Sequence, residues 1–308
     1  MTNSLKNPPS LKATIIGQAA LLIWAMSASG AVALSALPAF EILSGLFISG
    51  FISSSIMNTT RGNWKNIASR PKYLLLAGIV GIIGNDIFYI LAFKYAPAVH
   101  VSLISCLWPM LVLILATIVL NENIRLHHML ACLLGFSGVY VLLTTDTNVS
   151  ILKKEYWFGY LCAFASAILW SIYMTVSRKY AKLAPELFSI YCGIGSIFSI
   201  TIHLGFEVTV IPSFTQGMIL LIMGVTTHSI AYYGWDFAIK KGNFKLLNIL
   251  PYGNPVLSVL ALIFFGFAEL TEAVFISTLM VSIAGIIGGA RFKKKAPENA
   301  TETVSTNS

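Results

Sequence analysis

Residues 24–109 recur 146 positions later in the same chain. Trp24 falls on Trp170, Ala92 on Ala238, Lys94 on Lys240, and Pro109 of Leu-Trp-Pro-Met-Leu on Pro255 of Gly-Asn-Pro-Val-Leu. After one inserted residue the match resumes at an offset of 147, with Glu122 on Glu269 and Gly138 on Gly285. Each copy holds an odd number of membrane-length apolar stretches, so the second must lie upside down relative to the first. Inverted-topology duplication is a mark of secondary transporters.

Composition places the repeat in a bilayer. Of 308 residues, 56% are hydrophobic and 10% charged, with mean hydropathy +0.80; a soluble domain carries roughly 25% charged residues. One helical span needs about 20 apolar residues. Ten such spans are expected near 13–35, 38–58, 72–94, 98–120, 126–144, 156–177, 186–206, 215–239, 245–267 and 270–290. The fold class is therefore an all-α integral membrane protein with ten transmembrane helices as a 5+5 inverted repeat. Residues 1–12 form a polar cytoplasmic lead, 13–145 and 146–292 the two five-helix repeats, and 293–308 a tail whose Thr, Ser, Asn and Glu read as disordered. The loops are short and leave no room for a soluble catalytic domain.

The net charge of +8 does not mark a nucleic-acid binder. With the N-terminus inside, 17 of the 20 Lys and Arg fall on the cytoplasmic side, and only Lys94, Lys153 and Lys154 fall outside. That bias fixes orientation by the positive-inside rule, with both termini cytoplasmic, and the basic residues contact anionic lipid. Cys106, Cys132, Cys162 and Cys192 lie within spans without a CxxC pair and read as small buried hydrophobes. His127 and His128 make no metal-binding spacing. No GxxxxGK[ST], HExxH or GxSxG occurs, so ATP-driven transport by this chain alone and intramembrane catalysis have no motif to rest on. No cofactor or metal is expected.

Pro109 and Pro255 sit near the middle of spans four and nine, where each removes a backbone hydrogen bond. Paired kinks in two inverted halves point to a central site. Trp24, Trp108 and Trp170 are too deep for the interfacial aromatic belt and either pack the bundle or line an aqueous path. With Tyr89, Tyr173, Tyr232, Trp235 and Tyr252 they form an aromatic set suited to planar solutes. Asp86, beside Asn85, lies about 21 Å of helical rise into span three, where a carboxylate is costly unless hydrated, paired or protonated. It would hold a substrate amino group, carry a proton, or make a structural hydrogen bond to a neighbouring helix. Its repeat mate is Tyr232, so the copies differ where an asymmetric substrate would need them to. His228 either faces the cavity or packs, with packing favoured; Asp236 reads as the i,i+4 partner of Lys240, and Lys94 and Glu41 as groups that snorkel to the outer surface. Glu122 and Glu269 read as helix-end partners. The recurring glycines (Gly78, Gly81 and Gly84; Gly135 and Gly138; Gly285, Gly288 and Gly289) read as helix-packing faces.

The motifs Pro109…Glu122…Gly135, Gly138 and Pro255…Glu269…Gly285 resemble those of the drug/metabolite transporter superfamily, EamA type. The second copy departs in carrying Ser282 where Gly135 leads the first. Leu107-Trp108-Pro109, Trp170-Ser171-Ile172-Tyr173, Lys179-Tyr180-Ala181, Ala231-Tyr232 with Trp235, and Gly242-Asn243 are similar to bacterial aromatic amino-acid exporters of that superfamily. The resemblance covers residues 13–292. It implies a bacterial inner-membrane carrier that exports aromatic or other neutral amino acids by alternating access; transport that is downhill and transport with protons as a further partner both stay open. The expected substrate-binding set is Trp24, Asn85, Asp86, Tyr89, Trp108, Pro109, Trp170, Tyr173, Tyr232, Trp235, Tyr252 and Pro255. The alternatives are an efflux carrier for drugs or other metabolites and, from another class, a non-transporting receptor or scaffold.

Overall fold

In a computed structural model the protein is all-helical among its described residues, which are 10–120, 126–145, 154–179, 184–243, 246–247 and 250–289. Residues 1–9 of the polar lead, the tail, Glu122 and the 146–153 connection lie outside them, while Leu11 and Lys12 begin α1. The helices are α1 (Leu11–Ala33), α2 (Ala39–Arg61), α3 (Lys72–Tyr95), α4 (Ala98–Val119), α5 (Leu126–Thr145), α6 (Trp157–Lys179), α7 (Phe188–Phe206), α8 (Phe214–Lys241), α9 (Asn254–Phe264) and α10 (Glu272–Gly289). Eight of them are long and apolar enough to cross a membrane; α9, with the turn before it, and α10 are shorter apolar helices. The ninth is shorter than the apolar run from which it is read because Pro251 and Pro255 both lack an N–H. A 3-10 turn, Leu250–Gly253, therefore precedes the helix.

Many large apolar side chains point outward, among them Leu22, Ile52, Leu133, Leu161 and Ile197. That is the reverse of a soluble surface and matches a lipid solvent. Between helices in lipid, close packing and hydrogen bonds replace the hydrophobic drive. The helices α2 and α7 pair along their length, as do α5 and α10; α3 packs on α6, α1 on α8, α4 on α6, and α1 on α9.

Polar clasps join α2 to α7 at both ends. At one end Asn58 is fully buried; its amide donates to the Glu186 carbonyl and Ser189 Oγ, both at 2.9 Å, and its Oδ1 accepts from the Tyr233 hydroxyl. Glu186, also buried, accepts from Arg70 Nε at 2.6 Å. The Arg61 guanidinium lies over the Tyr233 ring, and Ser10 N–H donates to the Lys241 carbonyl, so the basic residues of several helix ends gather here. At the opposite end the Glu207 carboxylate accepts from the Phe40 and Glu41 N–H groups and so caps α2. Glu41 does not snorkel: it is buried and accepts the Val210 N–H at 2.9 Å. Lys94 Nζ donates to the Leu37 carbonyl at this end.

Two helices carry a π turn, Ile79–Ile83 in α3 and Thr226–Ile230 in α8. Each inserts an extra residue into a turn, which puts the helix faces before and after it out of phase. In α3 the turn sits against α6 and α7 so closely that a Cβ on Gly78 would fall 2.1 Å from the Tyr191 ring. A Cβ on Gly81 would fall 2.9 Å from the Leu169 carbonyl. Glycine is required at both.

α4 breaks at Cys106–Leu107, just before the expected Pro109, and helix resumes at Trp108. Pro109 therefore occupies the first turn of the second segment, where a missing N–H is no loss; Pro255 occupies the first turn of α9 in the same way. The chain bends upstream of each proline rather than at it.

Candidate functional site

The breaks and π turns surround a central cavity of about 220 Å³, lined from α1, α2, α3, α4, α6, α8 and α9. Trp24, Asn85, Asp86, Tyr89, Trp108, Trp170, Tyr173, Tyr232 and Trp235 all line it. Pro109, Tyr252 and Pro255 do not; they surround an adjoining space of about 10 Å³. The cavity also presents His228, which the sequence favours as a packing histidine, and Thr227, Ser27, Ser105, Ser166 and Asn254, which it does not single out.

One wall is aromatic. Trp24 of α1 meets Tyr232 and Trp235 of α8 edge-on, with ring centroids 5.0 and 5.9 Å apart. Trp170 of α6 lies 6.2 Å from Tyr232 and 5.7 Å from Tyr173. Behind this wall Phe188 of α7 stacks on Tyr232 at 3.6 Å. The Trp24 indole N–H donates to the Thr227 carbonyl inside the π turn of α8, at 3.3 Å. At the α4 break Ser171 Oγ lies 2.9 Å from the Trp108 carbonyl and 2.6 Å from that of Ala167, which share its one hydrogen. These are rings held by neighbours of similar size, a rigid frame for a planar guest.

Facing the rings is a polar chain that crosses from α6 through α3 to α8. Ser166 Oγ donates to Asn85 Oδ1 at 2.9 Å, and Asn85 Nδ2 donates to Asp86 Oδ1 at 3.0 Å. Asp86 Oδ2 lies 2.8 Å from His228 Nε2, and His228 Nδ1 lies 2.8 Å from Thr227 Oγ1. Thr227 in turn donates to the Met223 carbonyl at 2.6 Å. His228 is thus the partner of Asp86, 142 residues away in the chain. Among the described lining residues Asp86 is the only carboxylate, and no Lys or Arg lines the cavity. Two polar atoms beside it, Ser105 Oγ and Asn254 Oδ1, have no protein partner among the described residues.

The model of the EamA-like transporter family matches residues 11–144. The aromatic amino acid exporter YddG of Ancylobacter novellus is 32% identical over 278 residues, 90% of this chain and 95% of that protein. This chain belongs to the EamA-like transporter family. Aromatic amino acid exporter YddG of Escherichia coli (strain K12) is 26% identical over 80% of this chain and 86% of its own. A solved crystal structure aligns at a TM-score of 0.70 with 31% identity, covering 90% of this chain and 97% of its own.

As an EamA-like transporter the chain is a multi-pass membrane protein that carries small molecules, and the central cavity is its candidate substrate site. Asp236, by contrast, pairs with Lys240 at 2.6 Å along α8, and Lys240 is well exposed. No cluster of three potential metal ligands occurs among the described residues.

Proposed function

We propose that this transporter exports aromatic or other neutral amino acids across the bacterial inner membrane by alternating access. The observation that carries this reading is the juxtaposition, in one cavity, of seven aromatic side chains with a single carboxylate. It is strengthened by likeness along nine-tenths of the chain to a protein named an aromatic amino acid exporter. A dry cavity of about 150 Å³ accepts a benzene ring, so about 220 Å³ suits one ring with a short polar tail. Trp24, Tyr89, Trp108, Trp170, Tyr173, Tyr232 and Trp235 wall the side chain, Asp86 and Asn85 take the ammonium group, and Pro109, Tyr252 and Pro255 shape the bends that frame the site.

The proposal includes ten spans arranged as two inverted halves, residues 13–145 and 146–292. Under a swap of each helix with its mate five places on, α2·α7 and α5·α10 map onto themselves. The pairs α3·α6 and α4·α6 become α8·α1 and α9·α1, and all six pairs are packed. The two π turns and the two proline-adjacent breaks also fall at matching positions. Gathering of Arg61, Arg70 and Lys241 at the bundle end opposite Lys94 supports a cytoplasmic face there, with both termini inside and anionic lipid around the basic rim.

Substrate competition in proteoliposomes tests the function. Counterflow of phenylalanine is expected to be inhibited by tryptophan and tyrosine at concentrations well below those needed for charged amino acids. Counterflow of organic cations, with none of any amino acid, would overturn the reading in favour of drug efflux.

A further inference from the structure

The protons of the Asp86–His228 pair can be counted from its surroundings. Thr227 has one hydroxyl hydrogen and gives it to the Met223 carbonyl at 2.6 Å. Its oxygen therefore accepts from His228 Nδ1, which must carry a hydrogen. Asn85 accepts from Ser166 through Oδ1 and presents its NH₂ to Asp86 Oδ1. That leaves Nε2 and Oδ2 facing each other at 2.8 Å. Two bare acceptors do not sit at that distance, so one proton lies between them, on either the imidazole or the carboxyl. Either way the pair is neutral in sum.

The other titratable groups facing the pair are Tyr89 of α3, Cys106 of α4, Tyr173 of α6, Cys192 of α7 and Tyr232 of α8. Phenols and thiols are neutral at pH 7 unless something nearby stabilises their anions, and no Lys or Arg lines the cavity to do so. From α1, α2 and α9 the lining residues bring no titratable side chain. The charge of the cavity is thus the charge of one dyad and its single proton.

We infer that His228 is a specificity-determining residue of the central site: by sharing one proton with Asp86 it admits a zwitterion with no proton movement and a simple amine only in exchange for that proton. The inference rests on the amino-acid reading above and sharpens its substrate class. When a zwitterion enters, its ammonium group bonds the Asp86 carboxylate, and the shared proton stays within the dyad on the imidazole, where it balances the substrate carboxylate. The total charge in the cavity is unchanged. An amine without a carboxylate instead places a second positive charge beside the imidazolium, in surroundings that magnify like-charge repulsion. The balance is restored when the Nε2–H bond breaks and that proton passes to cavity water. The freed Nε2 lone pair then accepts an N–H of the ammonium group, and Nδ1–H stays on Thr227. One ammonium ion replaces one proton.

The test counts protons released on binding. The purified full chain, weakly buffered at pH 7 in detergent with a pH indicator, is titrated with phenylalanine and with phenethylamine, its decarboxylated counterpart, and then with leucine and isopentylamine. The expected result is about one proton released per amine bound and none per amino acid. In His228→Gln the amine-over-amino-acid preference rises at least tenfold, because no imidazolium is left to balance a substrate carboxylate. A proton released by the amino acid, none released by the amine, an amine that does not bind, or an unchanged preference in His228→Gln overturns the inference. The wild-type count decides even if that variant fails to fold. If only the aliphatic pair binds, the aromatic assignment is wrong and the dyad is judged on the aliphatic count. If none of the four binds to protein that unfolds cooperatively on heating, both are wrong.

Discussion

The π turns of α3 and α8 are the same backbone device put to different use. An offset of 146 brings Ile79–Ile83 to within one residue of Thr226–Ile230. In α3 the turn is closed in by protein, with Gly78 against Tyr191 and Gly81 against Leu169 and Tyr173. Just beyond it come Asn85 and Asp86. In α8 the matched position of Gly81 is Thr227, whose carbonyl receives the Trp24 indole and whose hydroxyl holds His228. Beyond that turn come Tyr232 and Trp235, where α3 has Asp86 and Tyr89. The two helices share the irregular backbone and divide the chemistry, with the carboxylate on α3 and the imidazole, Tyr232 and Trp235 on α8. An amino acid, with a charged head and an apolar side chain, has the same division.

The largest effect should come from removing the carboxylate that distinguishes α3. Asp86→Asn retains hydrogen-bonding atoms for Asn85 and His228 but loses the charge. A hydrogen bond to a charged group contributes about 1.5–3 kcal/mol, so affinity for an aromatic amino acid should fall about 10- to 100-fold in a proteoliposome counterflow assay. Wild-type affinity in this variant would show that the two copies do not differ in substrate binding as their sequences differ.

Next in size is the backbone itself. Gly81→Val sets a branched side chain where even a Cβ falls 2.6 Å from Tyr173 Cβ and 2.9 Å from the Leu169 carbonyl. Overpacking of this kind costs about 1–3 kcal/mol and should lower the unfolding midpoint in detergent. At the matched position Thr227→Ser keeps the hydroxyl and both its hydrogen bonds, so it should shift the midpoint less. Equal shifts would mean that the two turns are packed alike after all.

The sequence makes some of this site plain and hides the rest for identifiable reasons. Long apolar runs and the rarity of charge mark the helices, and depth alone marks Asp86 and the tryptophans. His228 escaped because a histidine in an apolar run reads the same whether it packs or pairs, and its partner is 142 residues distant. Glu41 was misjudged for a similar reason: the Val210 N–H that holds it comes from the loop after α7. The π turns leave no periodic trace, since one extra residue in a turn does not interrupt an apolar stretch. The prolines were legible as breakers, but a proline sits comfortably in a first helical turn, so each bend lies before it. That displacement is also why Pro109, Tyr252 and Pro255 adjoin the cavity instead of lining it.

The smallest expected effect separates ring contact from hydrogen bonding on the α8 side. Trp24→Phe keeps an aromatic edge toward Tyr232 and Trp235 but removes the N–H that the Thr227 carbonyl accepts at 3.3 Å. Removing the donor leaves that carbonyl one hydrogen bond short, so some cost must follow. A net hydrogen bond contributes about 0.5–1.5 kcal/mol, and the length of this one puts it at the low end. Apparent affinity for phenylalanine should therefore weaken about two- to fivefold, with the maximal rate nearly unchanged. A loss larger than that of Asp86→Asn would reverse the comparison, placing the dominant recognition on the α8 wall and leaving the α3 carboxylate a structural partner of His228.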